Sequence, residues 1–243
     1  MRGKKRQIMK PIIVIPTYNE RANIIVLLHR IFALKIANLE VIIVDDNSPD
    51  GTAATVEIMA KEFRIHLIKR MRKLGLGSAY VAGFKKALAL GADLIFEMDA
   101  DLSHDPADLP RLIFEMENSK ADLVIGSRRI KGGKIIGWNL WRKFTSLGAM
   151  LFSKIILGLK TRDVTAGFRC FRRGALEAIG VDSIKSNGYA FQEELLYRAE
   201  QNGLKIKEIP VIFTDRAEGK SKLGGRDILE FFGAIFRLKF GKK

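Results

Sequence analysis

Asp93-Leu94-Ile95-Phe96-Glu97-Met98-Asp99-Ala100-Asp101 decides how this chain is read. The apolar run, with Ile95 and Phe96 favouring extended backbone, predicts a buried strand that ends on two carboxylates. In open α/β sheets, ligands bind outside the carboxyl ends of the strands. Side chains two apart on a strand face the same way, so Asp99 and Asp101 can point at one hard cation, and such a cation can hold a diphosphate. Taken alone, the triplet reads more simply as a solvated strand end or the N-cap of the next helix. The flanking sequence changes the balance.

Upstream, Ile12-Ile13-Val14-Ile15 predicts a buried strand, followed by the loop Pro16-Thr17-Tyr18-Asn19-Glu20 and a helix with Ile24, Leu27, Leu28 and Ile31 on one face. Val41-Ile42-Ile43-Val44 predicts a second strand, ending in the polar loop Asp45-Asp46-Asn47-Ser48-Pro49-Asp50-Gly51-Thr52. A helix over 55–63, a short strand over 65–68, a glycine turn at Gly75-Leu76-Gly77 and a helix over 78–90 complete the approach to Asp99. Downstream come a helix over 108–116 and a strand over 122–125. This alternation predicts a mostly parallel sheet with helices on both faces, a Rossmann-like α/β fold. Its polar residues gather at strand carboxyl ends, the layout of a nucleotide site. There an aromatic such as Tyr18 can pack on a base, and Asp45 or Asp46 can accept from a base N–H or a ribose hydroxyl. Asn19 and Asp50 serve equally as helix or turn caps.

After Gly126 the pattern changes. Arg128, Arg129, Lys131 and Lys134 form a basic loop around Gly132-Gly133, and Trp141, Phe144, Gly148, Phe152, Ile155 and Leu159 follow a helical face. Residues 165–171 read as a loop entering a strand, and 191–201 as a helix. A strand over 206–213 is interrupted by Pro210, which predicts an edge position, and 227–240 form a closing amphipathic helix. With no repeat and no Pro/Ser-rich linker, 1–243 reads as one domain. Its nucleotide-binding half covers about 10–126, and its acceptor half, a largely helical part, covers about 127–243.

Of the 243 residues, 47% are hydrophobic and 28% charged, which suits a globular body. A net charge of +15 points to nucleic acid, anionic lipid or phosphorylated substrates. No groove-reading motif or aromatic-studded basic sheet supports nucleic acid. The single Cys170 excludes an internal disulfide framework and a cysteine metal cluster. The apolar run at 12–15 is too short for a secretory leader, and the longest spanning candidate, 147–159, is broken by Ser153 and Lys154. A chain that lies on a membrane without spanning it is expected.

The ordered motifs IPTYNE, VDDNSPDGT, MDADLSHDP, GSRRIKGG and GKSKLGG resemble family 2 glycosyltransferases of the GT-A fold. GYAFQEELLYRA and RAEGKSKLGG are similar to its polyprenol-phosphate branch, the dolichol-phosphate mannose synthases. The resemblance implies that Pro16, Tyr18, Glu20, Val44 and Asp46 hold the nucleoside. Asp99, Ala100 and Asp101 then form the metal and sugar-nucleotide motif, and Arg128 lies near the diphosphate and sugar. Arg216 and Lys222 supply the C-terminal active-site loop, and Arg142 and Ser146 meet the acceptor phosphate. Ser103 stands where some members carry a glutamine metal ligand, a smaller neutral oxygen donor. The implied donor is GDP-mannose, the acceptor dolichyl or another polyprenyl phosphate, and the cofactor Mg2+ or Mn2+. The implied location is the cytoplasmic face of the cell membrane or endoplasmic reticulum, peripherally held, with a small membrane-spanning subunit as a possible partner and no nucleic acid. Other members continue into transmembrane helices.

The chemistry suits these residue types. A divalent cation neutralises the departing diphosphate, with Asp101 as the ligand nearest the bond being broken. Arg forks match phosphate oxygens. By analogy with phosphoserine, a polyprenyl phosphate has a second pKa near about 6 and arrives ionised, so no catalytic histidine is needed. His104 reads as a loop-packing residue. The basic segment 216–225 is expected to close over the diphosphate. The resemblance also implies Glu193 and Glu194 as candidates for touching the donor sugar, with a solvated or N-terminal helix face as the alternative for one of them. Ile228, Phe231, Phe232, Ile235 and Leu238, together with Trp138, Trp141 and Phe144, read as a lipid-facing surface, with core packing as the alternative. Two other functions remain open: the same chemistry with UDP-glucose or another nucleotide sugar, and a non-catalytic anionic-lipid-binding protein.

Overall fold

In the computed structural model, which describes residues 9–188, 190–215 and 225–241, the first β/α units form as their patterns predict. Pro11–Thr17 (β1) leads to Arg21–Ala33 (α1), Glu40–Asp45 (β2), Thr52–Met59 (α2), Ile65–Lys69 (β3), Leu76–Ala89 (α3) and Leu94–Glu97 (β4). Leu109–Ser119 (α4) and Leu123–Ser127 (β5) follow. The rest of the chain adds Lys134–Ile136 (β6), Leu140–Leu157 (α5), Arg169–Arg172 (β7), Arg173–Ile179 (α6), Phe191–Gln201 (α7), Ile206–Pro210 (β8), Ile212–Thr214 (β9) and Gly225–Phe240 (α8).

The main sheet has seven strands in the order β3-β2-β1-β4-β7-β5-β8. β1, β2, β3 and β4 pair in parallel, as do β5 and β8, while β7 runs antiparallel to both β4 and β5. The chain walks from β1 to β3 in one direction and then returns to place β4 on the other side of β1. The crevice at the carboxyl ends of β1 and β4 is therefore a topological switch point, where such sheets bind ligands.

Alternation along the strands divides the core. Ile12 and Val14 of β1 face a layer with Phe84, Leu157, Phe171, Leu195 and Ile235, whereas Ile13 and Ile15 face Leu27, Val56, Leu112 and Phe168. A side chain on Gly83 would overlap Val14 Cγ1, so this glycine lets α3 lie directly on β1.

The structure corrects several expectations. The second helix begins at Thr52, not residue 55, because the Asp50 carboxylate accepts the Thr52 N–H at 2.9 Å and the Arg21 N–H at 3.0 Å. Pro210 divides the expected 206–213 strand. β8 is the edge of the main sheet, and β9 pairs with β6 in a separate two-stranded ribbon. On α8, Phe231 and Ile235 are buried against α5 and the core, so the stripe read as lipid-facing is a packing face, with Ile228 outside the described side chains. Phe236 and Phe240 are the exposed aromatics of that helix. Among the described residues, no helix is long and apolar enough to cross a membrane.

Candidate active site

The carboxyl end of β4 carries the two aspartates. Asp99 accepts from the Tyr80 hydroxyl at 3.1 Å, and its own N–H is bonded to His104 Nδ1 at 3.2 Å. Asp101 Oδ1 accepts the Ser103 N–H at 3.1 Å, which folds the loop back so that the Ser103 hydroxyl is buried without a hydrogen-bond partner. Leu102, between them, takes a left-handed φ of 63°, an unusual backbone for a branched side chain that marks a sharp turn. Ala100 is buried beneath it. Two carboxylates and a hydroxyl are a hard-oxygen donor set of the kind Mg2+ or Mn2+ takes.

His104 is a support. Its ring stacks on Phe168 with centroids 5.0 Å apart and meets the edge of Phe213 at 5.7 Å. Burial lowers its pKa to about 4, the charge of nearby Asp101 opposing, so the ring is neutral and its Nδ1 accepts. Gly167 faces this cluster: a Cβ there would lie 3.6 Å from Asp99 Oδ2 and 3.7 Å from Gln192 Nε2 and His104 Cε1.

The β1 and β2 ends bring the expected nucleoside residues to one side. Pro16 and Val44 are register partners in the sheet, and Val44 is wholly buried. Tyr18 is partly exposed, with the Lys73 ammonium 4.0 Å from its ring centroid. Glu20 precedes α1 and accepts from Asn23 Nδ2 at 2.8 Å. Asp46 is more occupied than its motif suggests. It forms an ion pair with Arg70 and accepts the Leu74 and Gly75 N–H groups at 3.1 and 3.3 Å. Its neighbour Asp45 binds Thr17 and Ser48, tying the β1 and β2 loops together.

Arg128, after β5, is held by Asp163. Its N–H and Nε each lie 2.8 Å from Asp163 Oδ2, and Nη2 reaches Oδ1 and Thr165 Oγ1 at 2.7 Å. Burial pushes the Asp163 carboxyl up, but the bonds and charge of Arg128 outweigh it and hold Asp163 below the usual range. The charge of Asp99 also favours the Arg128 guanidinium.

Behind this pair lies a buried polar layer that single-residue reading missed. Arg169, fully buried, donates to the carbonyls of Ala166, Gln192 and Val164 at 2.8–3.0 Å and lies 3.8 Å from the Glu97 carboxylate. Arg169 sits in β7, whose antiparallel insertion between β4 and β5 has no sequence period to reveal it. Glu193 and Glu194 separate cleanly. Glu194 is structural, accepting from the Ser186 N–H at 2.7 Å and from Arg198 Nη2 at 2.7 Å. Glu193 is buried on the Arg128 side, and burial, only partly opposed by its own N–H and by Arg169, raises its pKa to about 8.

Of the two residues expected to meet the acceptor phosphate, Arg142 is occupied within the chain: its Nη1 binds both oxygens of Asp215 at 2.8 Å, and its guanidinium lies 4.4 Å from the Trp138 ring centroid. Ser146 follows one turn later on α5, on the same face and half-buried. Trp138 packs against Phe213 at 5.7 Å, which removes it from the expected lipid surface, whereas Trp141 and Phe144 are each 75% exposed. Phe213 also carries the Arg128 guanidinium at 5.3 Å, so one ring joins the two arginines' surroundings. Arg216 and Lys222, and nearly all of the 216–225 segment expected to close, lie outside the described residues.

Comparison with known proteins identifies the family and the fold. Residues 12–180 match the family described as glycosyl transferase family 2. The chain is 43% identical over 218 residues to the undecaprenyl-phosphate mannosyltransferase of Micrococcus luteus, covering 89% of this chain and 88% of that protein. It is 40% identical over 235 residues to the polyprenol monophosphomannose synthase of Mycolicibacterium smegmatis, covering 96% and 87%. The crystal structure of Mycobacterium tuberculosis glucosyl-3-phosphoglycerate synthase superposes with a TM-score of 0.71 at 20% identity, covering 97% of this chain and 82% of that one. The structural likeness shows the GT-A-type fold.

Proposed function

The chain belongs to glycosyl transferase family 2, and on that premise we propose that it transfers mannose from GDP-mannose to a polyprenyl phosphate of the dolichyl or undecaprenyl class, with inversion at the sugar carbon. The carrying observation is similarity along nearly the whole chain to two proteins named for polyprenyl-phosphate mannosylation. In this reading the β1 and β2 ends, with Pro16, Tyr18, Glu20, Val44 and Asp46, hold the nucleoside. Asp99, Asp101 and the partnerless Ser103 hydroxyl would hold Mg2+ or Mn2+, which when bound neutralises charge on the leaving diphosphate.

The protein's own groups do the rest. Arg128, fixed by Asp163, presents a preorganised guanidinium toward the diphosphate side, so no reorganisation is needed as charge develops there. Arg142 and Ser146 receive the acceptor phosphate, and Arg216 and Lys222 add cations from the C-terminal loop. The acceptor phosphate is already ionised and attacks the sugar carbon directly as the diphosphate leaves, so a single displacement needs neither an enzyme nucleophile nor a general base. Glu193, neutral and buried beside Arg128, suits a hydrogen-bond partner for the sugar.

The acceptor's lipid tail requires a membrane face. Leu140, Trp141, Phe144 and Ile155 on α5 and Phe240 on α8 are each at least 71% exposed, and Lys143 and Lys239 are exposed beside them. This supports peripheral attachment to a membrane; the cytoplasmic leaflet is the proposed face, with a small membrane-spanning subunit as the alternative anchor.

The test offers labelled GDP-mannose, UDP-glucose and UDP-GlcNAc with a short-chain polyprenyl phosphate and Mg2+ or Mn2+. Label from GDP-mannose alone is expected in the lipid fraction. Asp101→Asn, which retains an oxygen to accept the Ser103 N–H, is expected to fold normally and lose roughly 100-fold or more in kcat. Transfer from a uridine donor instead, or undiminished transfer with excess chelator or in Asp101→Asn, overturns the corresponding assignment.

A further inference from the structure

Arg142 is clamped at one end of its guanidinium and open at the other. The Asn139 side chain accepts the Arg142 N–H at 2.8 Å, which fixes its backbone in the first turn of α5. At the tip of the side chain, both Asp215 oxygens lie 2.8 Å from the same nitrogen, Nη1. The Trp138 ring centroid lies 4.4 Å from the guanidinium carbon. Nε and Nη2 make no hydrogen bond to a described residue, neither is shut off from solvent, and the side chain is 28% exposed. The edge formed by Nε and Nη2, one of the two with which a guanidinium forks an oxyanion, is therefore open.

Asp215 is itself held in place. It follows β9, and its N–H donates to the Ile136 carbonyl at 2.9 Å, which extends the ribbon by one residue. Gly137 has a left-handed φ of 88°, and a Cβ there would lie 2.8 Å from Asp215 Cβ, so the turn from β6 toward α5 needs glycine beside this carboxylate. Thr214 gives its N–H to the Ser103 carbonyl at 3.3 Å, and Phe213 lies against Trp138 and the Arg128 guanidinium. Successive residues 213, 214 and 215 thus reach Arg128, the loop after Asp101, and Arg142. A partly exposed ion pair contributes little to stability, so the main effect of this one is to hold a long side chain in one orientation.

We infer that Asp215 is a positioning residue for the acceptor phosphate: it clamps Nη1 so that the Nε–Nη2 edge of Arg142 is presented ready-made to an oxyanion. The inference rests on the proposed acceptor role of Arg142 and adds to it the group that orients this arginine and the edge the arginine offers.

Calorimetric titration with a short-chain polyprenyl phosphate, and separately with GDP plus Mg2+, tests it on the parent, Asp215→Ala, Asp215→Asn and Arg142→Ala, with thermal melting of each. Asp215→Ala is expected to bind the polyprenyl phosphate at least about five-fold more weakly, because a released arginine must be ordered again on binding. Its GDP affinity and melting temperature should stay close to the parent's. Asp215→Asn keeps an oxygen for Nη1 and should bind within about three-fold of the parent. Polyprenyl-phosphate binding by Asp215→Ala that is unchanged, or tighter because the carboxylate only competes for the arginine, overturns the inference. So does Asp215→Asn binding as weakly as Asp215→Ala, an equal loss of GDP binding, or a large drop in melting temperature. Arg142→Ala separates the two levels. If it binds the polyprenyl phosphate as the parent does, or the parent binds none, the acceptor role of Arg142 falls and the inference with it. If Arg142→Ala binds weakly while Asp215→Ala does not, the inference alone falls.

Discussion

At the residue scale, adjacent side chains of the same type do different work because the fold gives them different surroundings. Glu194 reaches back to the Ser186 N–H and forward to Arg198, whereas Glu193, one step around α7, is enclosed. Burial raises the Glu193 pKa to about 8, while in the unfolded chain it titrates near about 4.3. The folded state therefore holds an extra proton between those values. Its contribution to stability is complete below the unfolded pKa and is lost as pH rises through about 8. His104 acts oppositely: with a folded pKa of about 4 it removes stability as pH falls below the histidine range. Above about pH 6.5 that effect is over, leaving the buried carboxyls, Glu97 among them at about 8. Glu193→Gln, always neutral, is expected to reduce the fall in stability between roughly pH 6.5 and 8, by up to about 1 kcal/mol per pH unit. Urea unfolding across that range measures it, and identical slopes for parent and variant would show that Glu193 is ionised in the fold.

At the scale of elements, close packing of α3 on β1 sets the crevice, because Tyr80 on α3 reaches Asp99 and the α3 N-terminus follows the loop bonded to Asp46. That approach depends on Gly83 over Val14. Val14 is β-branched and buried in the sheet, so it has little freedom to retreat. Gly83→Ala is expected to destabilise the protein by about 1–3 kcal/mol despite alanine's better helix propensity. Adding Val14→Ala should recover part of the loss. Equilibrium denaturation of the single and double variants decides it, and simple additivity would mean that the two residues do not touch.

For the whole molecule, the sheet places the crevice at the carboxyl ends of β1 and β4 and the α5 side of the fold within one body, as the proposed joining of a water-soluble donor to a lipid acceptor needs. The outer face of α5 carries its large side chains in water, so removing them removes little buried contact. Trp141→Ala with Phe144→Ala is therefore expected to leave the melting temperature nearly unchanged while reducing flotation with anionic liposomes. Parent binding should rise with anionic lipid and fall with salt, at about 1 kcal/mol for each well-placed Lys or Arg. A parent that never floats with such liposomes would leave a membrane-spanning partner to bring the acceptor.

The strand and helix periods alone predicted the α/β alternation from β1 to β5, because apolar spacing reports which face of an element is buried. The same reading set Pro16, Tyr18, Asp46, Asp99 and Asp101 at strand carboxyl ends, since in a parallel sheet those ends share one edge. Four features were decided by tertiary structure. β7 entered the middle of the sheet antiparallel, a choice of partner that lies outside its own four residues. β6 and β9 exist only as each other's partners, being too short to carry a period. Phe231 and Ile235 turned inward while Phe236 and Phe240 stayed out, because amphipathic spacing marks a face without saying whether protein or lipid covers it. Arg128 met a carboxylate 35 positions away, while its neighbour Arg129 has no hydrogen-bond acceptor for Nε and Nη2 among the described residues, because long-range pairing depends on where the folded chain brings each charge, and no local pattern encodes that.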